Sequence, residues 1–570
     1  MAGLALMKMV GLAGFAFALM IVLAGCQAGD HAGPSGPGEH EGNDILGISL
    51  VDVTESSGID FVHFSGTSER RLLPETMGSG VAFCDLTGNG LPDLLFLNGA
   101  SLTAEADQPS GARLFLNQGD GNFTDATEGS GLEFSGYAMG VAVGDFDNDG
   151  LEDLLITRVG RDLLFRNLGE GRFEDVTERV GLEVDGFSSS AAFLDYDRDG
   201  FLDLFIARYV KWSVEDDIPC RPDGLHQAYC TPEVYEGISN VLLKNHQGSR
   251  FEDVSEKAGV SEHAGKALGV VVFDYNQDLW PDIAVANDTV RNFLFVNQGN
   301  GTFSEMGTET GMAYSDSGAP RGGMGIDAAD VDRDGHSDIV IGNFAQEMVA
   351  LFKGSSHGYF ADDAAVAGLG IPTLLTLAFG TLIEDIDNDG WLDVLVVNGH
   401  IEPEIASIQR SQSYAQVPQF FRNSEGPEFQ LLTSGRSESV LNRALVGRGL
   451  ASADMDLDGD LDFVITQNGG PAVLIRNDWQ GSSWLQLKLE GSSSNRSAVG
   501  AKVTVYAGDE SWSRELNPAR SYLAACDSVL VFGLGDRTRV DRVQIQWPSG
   551  LEQNLDSVET GKRITVREPE

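Results

Sequence analysis

Aspartates recur in this sequence at a spacing that suits a bound cation. In the segment DFDNDGLEDLLIT, which begins at Asp145, carboxylates occupy positions 1, 3, 5 and 9, and Gly150 stands at position 6. Glycine there permits the left-handed backbone of a tight turn, and hard oxygen ligands at such spacing suit Ca²⁺. The loop begins like an EF-hand loop, but its closing carboxylate comes at position 9 and an apolar, partly β-branched run follows. The segment therefore predicts a β-hairpin calcium loop.

Seven versions of this loop, numbered 1 to 7 in chain order, occur 50 to 79 residues apart. Five of them are complete. They are loop 2 (Asp145, Asp147, Asp149, Asp153), loop 3 (Asp195, Asp197, Asp199, Asp203), loop 5 (Asp330, Asp332, Asp334, Asp338), loop 6 (Asp385, Asp387, Asp389, Asp393) and loop 7 (Asp454, Asp456, Asp458, Asp462). Aspartates also form turns without a metal. However, unneutralised carboxylates about 5 Å apart repel one another by about 3 kcal/mol per pair at an effective dielectric near 20, which favours calcium in the complete loops.

Loops 1 and 4 depart from the pattern. Loop 1 has Thr87 at position 3, and loop 4 has Leu279 in place of the glycine. Their remaining candidate ligands are Asp85, Asn89 and Asp93 in loop 1 and Asp274, Asn276, Asp278 and Asp282 in loop 4. We expect these two loops to bind calcium weakly or not at all.

Short apolar strands flank every loop, and a further pair of strands around a Gly/Asn turn follows, as in LFRNLGEGRFEDVT from Leu164. Four strands in each of seven repeats predict an all-β, seven-bladed β-propeller. The segment LVDVTESSG at Leu50 resembles the fourth-strand sequence FEDVTERVG at Phe173, but it precedes loop 1. We therefore expect it to complete the last blade and close the ring.

The N-terminal residues indicate export. Lys8 precedes an apolar run that is too short for a transmembrane anchor, and the sequence LAGC ending at Cys26 resembles a bacterial lipobox. We predict a lipoprotein signal peptide at residues 1–25, acylation of Cys26 and a flexible tether at 26–45. The alternative is an ordinary signal peptide with a chance cysteine. Gln27 after the cysteine favours the outer membrane if the cell has one.

The propeller is expected at residues 46–482. From Trp484 the repeat period stops, and alternating β-rich segments predict a small, separate all-β domain at 483–570. Cys220 and Cys230 bracket a short insertion between loops 3 and 4. In an exported protein they favour a disulfide over a thiol metal site, which lacks the usual pair of close cysteines. Cys84 is expected to be a buried free thiol, and Cys526 has no evident partner.

The formal net charge of −48 accompanies 42% hydrophobic residues, so the chain is a folded, strongly anionic protein and not a disordered one. Bound calcium would offset only part of this charge. Binding to nucleic acid or to anionic lipid surfaces by simple charge attraction is therefore disfavoured. Membrane association is expected through the lipid anchor alone.

Several motifs resemble the ASPIC/UnbV family, which includes many bacterial exported proteins. They are GIDFVHFSG from Gly58, LPETMGSGVAF from Leu73, VANDTVRNFLFVN from Val285, NGHIEPEI from Asn398 and, near the C-terminus, NRSAVGAKVTV, FGLG and WPSG. The resemblance implies an FG-GAP/VCBS-type propeller with calcium hairpins, followed by a UnbV domain. For some members it also suggests adhesion or matrix interaction.

These observations favour a non-enzymatic, calcium-rigidified scaffold, anchored by lipid in the cell envelope and facing the periplasm or the exterior, that binds a protein or a glycan. One alternative is a propeller enzyme, a lyase or hydrolase, because fold does not determine function. Its best candidates are His63, Glu75 and His400, which could form an acid/base or metal cluster. In the alternative interpretation, the two histidines only hydrogen-bond loops at blade junctions. A pathway maturation or assembly factor is a third alternative that no residue supports.

Overall fold

The computed structural model describes residues 49–103, 109–221, 227–426, 428–435, 439–479 and 481–570. The predicted signal peptide, Cys26 and the tether lie outside these residues. Strands dominate, which confirms the all-β class, and the described helices are single turns. The α-helical turns are Gly307–Thr310, Gly370–Thr373 and Ile405–Ile408, and the 3₁₀ turns are Leu73–Thr76, Pro232–Val234, Val260–Glu262 and Val440–Asn442.

Within the described residues, seven sheets carry the repeats, and each has four antiparallel strands; sheet 1 also includes two short strands from near the C-terminus and so has six in all. We number them 1 to 7 after the loop that joins the first two strands of each sheet. Their strands are Val81–Cys84, Asp93–Leu97, Ala112–Asn117 and Phe123–Asp125 (sheet 1); Tyr137–Gly144, Asp153–Val159, Leu163–Asn167 and Phe173–Asp175 (sheet 2); Ser188–Leu194, Asp203–Arg208, Val241–Asn245 and Phe251–Asp253 (sheet 3); Ala267–Phe273, Asp282–Asn287, Phe293–Asn297 and Phe303–Glu305 (sheet 4); Gly323–Ala329, Asp338–Asn343, Ala350–Lys353 and Ala361–Asp362 (sheet 5); Ala378–Glu384, Asp393–Asn398, Gln419–Asn423 and Phe429–Leu431 (sheet 6); and Gly447–Ala453, Asp462–Gln467, Val473–Asn477 and Leu50–Asp52 (sheet 7). A two-stranded sheet pairs Ile238–Ser239 with Ala264–Gly265.

The first strands of the sheets contact one another in cyclic order, and the first strand of sheet 7 contacts that of sheet 1. The N-terminal strand Leu50–Asp52 pairs with Val473–Asn477, so that the two ends of the repeat array share one sheet. This pairing confirms that the segment at Leu50 completes the last sheet. Such a cyclic order is typical of β-propellers.

Each sheet is apolar on both faces because it packs between two neighbours. In the second strand of sheet 4, Ile283 and Val285 pack with sheet 3, whereas Ala284 and Ala286 pack with sheet 5. This double burial explains why these strands read as continuous apolar runs and lack a polar face.

The C-terminal residues form two further sheets around a core that includes Trp512 and Trp547. The three-stranded sheet orders Val529–Gly533, Trp484–Glu490 and Lys562–Arg567, and the four-stranded sheet orders Glu510–Glu515, Lys502–Ala507, Arg539–Gln546 and Glu552–Glu559.

Residues 517–526, which we call the inserted hairpin, leave these sheets and enter the repeat array. Its strands are Ala519–Arg520 and Ala524–Ala525, and the second pairs in parallel with Val81–Cys84 of sheet 1. Tyr522 is fully buried, and its hydroxyl donates to the Met77 carbonyl at 2.9 Å.

The inserted hairpin also contacts sheets on other sides of the ring. The backbone of Ser521 exchanges hydrogen bonds of 2.8 and 3.1 Å with Ile326 of sheet 5, and the Leu523 amide donates to the Ser190 hydroxyl of sheet 3 at 3.2 Å. The hairpin thus joins the C-terminal sheets to the repeat array by backbone pairing. The hairpin is too short to show this pairing in its own sequence, because its partners lie far away along the chain.

Candidate metal centres

All seven loops share one backbone frame. The carboxylate at position 1 accepts hydrogen bonds from the amides of positions 5 and 6, and the carboxylate at position 9 accepts one from position 2. In loop 2 the Gly150 amide lies 2.6 Å from Asp145 Oδ2, and the Phe146 amide lies 3.0 Å from Asp153 Oδ2. The loops are therefore formed by their own backbone, and the carboxylates are held close together.

Position 6 requires a left-handed backbone, as the sequence predicted. Gly150 has φ of 92° and Gly390 has φ of 90°. In loop 4, Leu279 adopts φ of 69° at the same place, which is strained for a bulky side chain. Position 4 is also left-handed, for example at Asn148 with φ of 60°, a feature that the sequence pattern had not indicated.

The carboxylates at position 3 have buried oxygen atoms that a cation could bind. In the complete loops, one buried carboxylate oxygen of Asp147, Asp197, Asp387 and Asp456 has no hydrogen-bond partner. A buried polar atom without a partner is costly, and a metal ion would satisfy it.

In each complete loop, three aspartates offer oxygen atoms within 4.8 Å of one another. Among the described residues, loops 1 and 4 form no such group. The distinction between complete and degenerate loops, made from the sequence, therefore has a geometric counterpart.

Clustering also perturbs the acidity of the loops. Burial, followed by repulsion from neighbouring loop carboxylates, raises the pKa of Asp145 and of Asp195 to about 7. Burial raises the pKa of Asp338 to about 8, and repulsion from Asp332 and Asp330 adds to the shift. Without a metal, the charged form of these carboxylates is therefore disfavoured. A bound cation would stabilise the charged form and lower the pKa again.

A basic residue on the third strand, which sequence reasoning missed, reaches four of the complete loops. Arg166 Nε lies 2.6 Å from Asp147 Oδ2, and Lys353 Nζ lies 2.6 Å from Asp332 Oδ2. Lys244 and Arg422 make the corresponding ion pairs with loops 3 and 6.

In sheet 7 the corresponding residue, Arg476, instead pairs with Asp478 at 2.5 Å. Sheets 1 and 4, whose loops are degenerate, have Leu116 and Val296 at this position. Aligning the motifs LFRN, LLKN and FFRN with LFLN and LFVN would have revealed this correlation.

The C-terminal residues supply a different cation to loop 1. Lys488 Nζ lies 3.4 Å from Asp85 Oδ2, and Arg563 Nη1 donates to the Gly90 carbonyl at 3.1 Å. In loop 4, the Asp274 amide instead lies 3.1 Å from the carboxylate oxygens of Glu515. The two degenerate loops are thus contacted by charged groups from outside the repeat array.

Other loops also contact the C-terminal sheets. Gln486 Nε2 donates to Asp454 Oδ2 at 2.6 Å in loop 7, and the Gly535 amide donates to the Asn388 carbonyl at 3.0 Å in loop 6. In loop 2 the Asp145 amide lies 3.2 Å from the Ser497 hydroxyl. The C-terminal sheets therefore lie against the ends of the repeats that carry loops 1 to 7.

The histidines considered for catalysis are engaged with backbone. His63 is 3% exposed, and its two ring nitrogens face the amides of Gly99 and Gly469 at 3.3 and 3.0 Å. Burial, with a contribution from Arg448, lowers its pKa to about 3. His400 Nδ1 accepts from the Glu402 amide at 3.0 Å, and burial lowers its pKa to about 4.

Glu75 lies in a different set of contacts. Its carboxylate accepts from the Ser68 hydroxyl at 2.6 Å and the Tyr229 hydroxyl at 3.1 Å. Burial raises its pKa. Among the described residues, no direct side-chain hydrogen bond joins Glu75 to either histidine; Tyr229, whose amide faces Glu402 Oε2 at 3.2 Å, lies between Glu75 and the segment of His400.

The cysteines are arranged as the sequence suggested. Cys220 and Cys230 are joined by a disulfide, with their Cα atoms 5.3 Å apart. Cys84 and Cys526 are buried, free thiols. Over the described ranges, no helix is long and apolar enough to cross a membrane.

Comparison with known proteins gives two family matches and several relatives. Residues 491–570 match the ASPIC and UnbV family model, and residues 85–156, 146–206 and 274–341 match the FG-GAP-like repeat model. The chain is 28% identical over 332 residues to cartilage acidic protein 1 of Mus musculus, covering 56% of this chain and 48% of the relative. The human protein of the same name is 28% identical over 328 residues, covering 56% and 46%.

The chain thus spans about half the length of the curated relatives it matches. Among solved structures, an Agrocybe aegerita lectin that recognises non-reducing terminal N-acetylglucosamine aligns with a TM-score of 0.40 and 14% identity, covering 69% of this chain and 87% of the lectin. That likeness is too low to support an inference. The two family matches thus describe the chain by its parts: it has matches to FG-GAP-like repeats, and its C-terminal segment matches the ASPIC and UnbV family model.

Proposed function

We propose that this protein is a calcium-stabilised, seven-bladed β-propeller scaffold at residues 46–482 with a UnbV domain at 483–570, which binds a protein or a glycan outside the cytoplasm. We further propose that Cys26 anchors it by lipid to the cell envelope, with the outer membrane favoured if the cell has one. The match to FG-GAP-like repeats and the similarity to proteins named after cartilage support the location.

Calcium is proposed in loops 2, 3, 5, 6 and 7. The observation that carries this proposal is the buried, unpartnered carboxylate oxygen at position 3, found in four of the five complete loops. Cations in these loops would stabilise both the connections within the sheets and the contacts of the C-terminal sheets with the loops.

Partner binding is proposed at the opposite end of the strands. The segments there that precede and follow the first two strands of sheet 6 expose aliphatic side chains. Ile371 is 81% exposed and Val366 is 77% exposed, while Leu375 and Ile408 are 50% and 56% exposed. Gln346, which follows the second strand of sheet 5, bridges these two segments: its amide donates to the Leu374 carbonyl at 2.7 Å, and its side chain donates to Gln409 Oε1 at 2.8 Å. Exposed apolar groups that lie together are typical of interaction surfaces.

No catalytic role is included in the proposal. The two ring nitrogens of His63 face backbone amides, and Glu75 binds two hydroxyl groups elsewhere. These contacts favour structural roles for the residues that the enzyme alternative needs.

The test is capture of binding partners from envelope extracts and glycan arrays by the chain lacking residues 1–26. We expect capture in calcium, a decrease in excess chelator and a decrease for Ile371→Ser. The matched control is Leu551→Ser, since Leu551 is 41% exposed in the C-terminal sheets. Unchanged capture in chelator and in Ile371→Ser would contradict the proposal. So would turnover of a polysaccharide, phosphoester or lactone that His400→Ala abolishes without lowering the melting temperature.

A further inference from the structure

A cleft of about 230 Å³ lies between the repeat array and the C-terminal sheets. One wall is formed by loops 5 and 6, including Gly335 and Gly390. The other is formed by the paired strands Lys502–Ala507 and Glu510–Glu515. The cleft adjoins the proposed calcium sites of loops 5 and 6, and Asp330 of loop 5 contributes to its lining.

The charged residues that line the cleft are mainly cationic, although the formal net charge of the chain is −48. Four cationic side chains line it, namely Arg333, Lys502, Arg514 and Arg520. Its carboxylates are Asp330, which belongs to loop 5, and Glu515, whose oxygens face the Asp274 amide at 3.1 Å. Cations therefore outnumber carboxylates in the cleft, against the composition of the whole protein.

The pairing of these cations is incomplete. Arg520 pairs with Glu384, and its guanidinium lies 3.6 Å from Asp327. Arg333 has only a distant pair, at 3.9 Å from Glu510. Across the described residues, neither Lys502 nor Arg514 has a carboxylate within ion-pair distance; the Arg514 guanidinium donates to the Ser513 carbonyl at 3.2 Å.

Other donors in the wall also lack acceptors. Trp512 is 2% exposed, and its indole N–H has no hydrogen-bond partner. The Nε atoms of Arg333 and Arg520 are likewise buried without a partner. A buried donor without an acceptor is costly, and these three belong to residues that line the same cleft.

We propose that this cleft binds a compact tetrahedral oxyanion, a sulfate or phosphate group that is either free or carried as an ester on a sugar. Guanidinium groups match such oxyanions in geometry and charge. The volume accommodates one oxyanion with its hydration waters or an esterified sugar unit. This site is additional to the partner surface proposed above and does not depend on it.

A competing explanation is that the cations only offset the aspartates of loops 5 and 6. Under that explanation, removing a cation strengthens calcium binding, because the loop carboxylates lose a competing positive charge, and no anion binds. Under ours, an anion binds most strongly when calcium already occupies the loops, because the loop carboxylates are then neutralised.

The test is isothermal titration of inorganic sulfate into the chain lacking residues 1–26 in 1 mM calcium, with sodium chloride at equal ionic strength as the reference. We expect saturable binding of one sulfate. Arg514→Gln and Lys502→Gln should each raise the dissociation constant at least about tenfold. The matched control is Arg539→Gln, which removes the same charge from an exposed position outside the cleft and should leave the dissociation constant unchanged.

Glucose 6-sulfate serves as the second probe. Tighter binding than inorganic sulfate assigns the site to an ester on a sugar, and equal binding assigns it to the free anion. If Arg514→Gln lowers the melting temperature in chloride, Lys502→Gln decides the outcome, since Lys502 is partly exposed. The proposal is overturned if neither probe binds, or if Arg539→Gln weakens binding as much as the cleft variants do.

Discussion

The substitution Asp387→Asn tests whether calcium in loop 6 stabilises the fold, as proposed. Asp387 is fully buried; its Oδ1 has no hydrogen-bond partner, whereas Oδ2 pairs with Arg422. Asparagine keeps the shape of the side chain and one oxygen, but it removes the charge that an ion would require. The substitution therefore tests the ligand role with little change in packing.

The expected magnitude follows from linkage. Calcium sites of extracellular modules have dissociation constants of about 10⁻⁴ to 10⁻³ M. At 5 mM free calcium, one such site stabilises the folded state by about 1 to 2.3 kcal/mol. Asp387→Asn should lose most of that amount in calcium. In chelator the ion contributes nothing, and only the change in the Arg422 ion pair remains.

The assay is urea and thermal unfolding of the chain lacking residues 1–26, in 5 mM calcium and in excess chelator. The quantity of interest is the difference between the two destabilisations, expected to be about 1 to 2.3 kcal/mol. Asp85→Asn in loop 1 is the matched control, and its effect should not depend on calcium. An equal cost of Asp387→Asn in both buffers would refute calcium binding in loop 6.

Four further outcomes are expected. In chelator, the free energy of unfolding should fall as pH rises from about 5 to 8. The reason is that groups such as Asp145, whose pKa is about 7 in the folded state and about 3.9 in the unfolded state, bind more protons in the folded state. In calcium this pH dependence, measured by melting temperature, should flatten or reverse. Cys26→Ala should abolish lipoprotein processing and partitioning into the detergent phase. Lys488→Met should lower the melting temperature equally with and without calcium, since it removes the cation beside Asp85. Reducing the disulfide should cost at most about 3 kcal/mol in urea unfolding, because the loop it closes is short.

The repeats could be predicted because each carries its own local signals. The aspartate spacing, the glycine at position 6 and the apolar runs on both sides specify a loop between two buried strands. Those signals also separated the complete loops from loops 1 and 4. The strand at Leu50 was identifiable because it resembles fourth strands elsewhere in the chain, so that its position before loop 1 indicated closure.

The contacts between the repeats and the C-terminal residues could not be predicted in the same way. Leu523 and Ala524 look like part of an ordinary short β segment, yet they contact sheets 1 and 3. Lys488 belongs to an alternating strand, and nothing nearby in the sequence links it to Asp85. Such pairings depend on the assembled ring, which brings together residues far apart along the chain.

If calcium binds as proposed, these contacts would make ion binding and attachment of the C-terminal sheets mutually dependent. The Asp454 carboxylate accepts from Gln486 of the C-terminal sheets and from the Gly459 amide of its own loop. Any change that loosens loop 7 therefore weakens a contact between the two parts. Because linkage is reciprocal, substitutions that detach the C-terminal sheets should also weaken calcium binding. The ends of the strands that carry loops 1 to 7 are thus occupied by contacts with the C-terminal sheets. For this reason we assign partner binding to the exposed aliphatic groups near Ile371, at the opposite end of the strands.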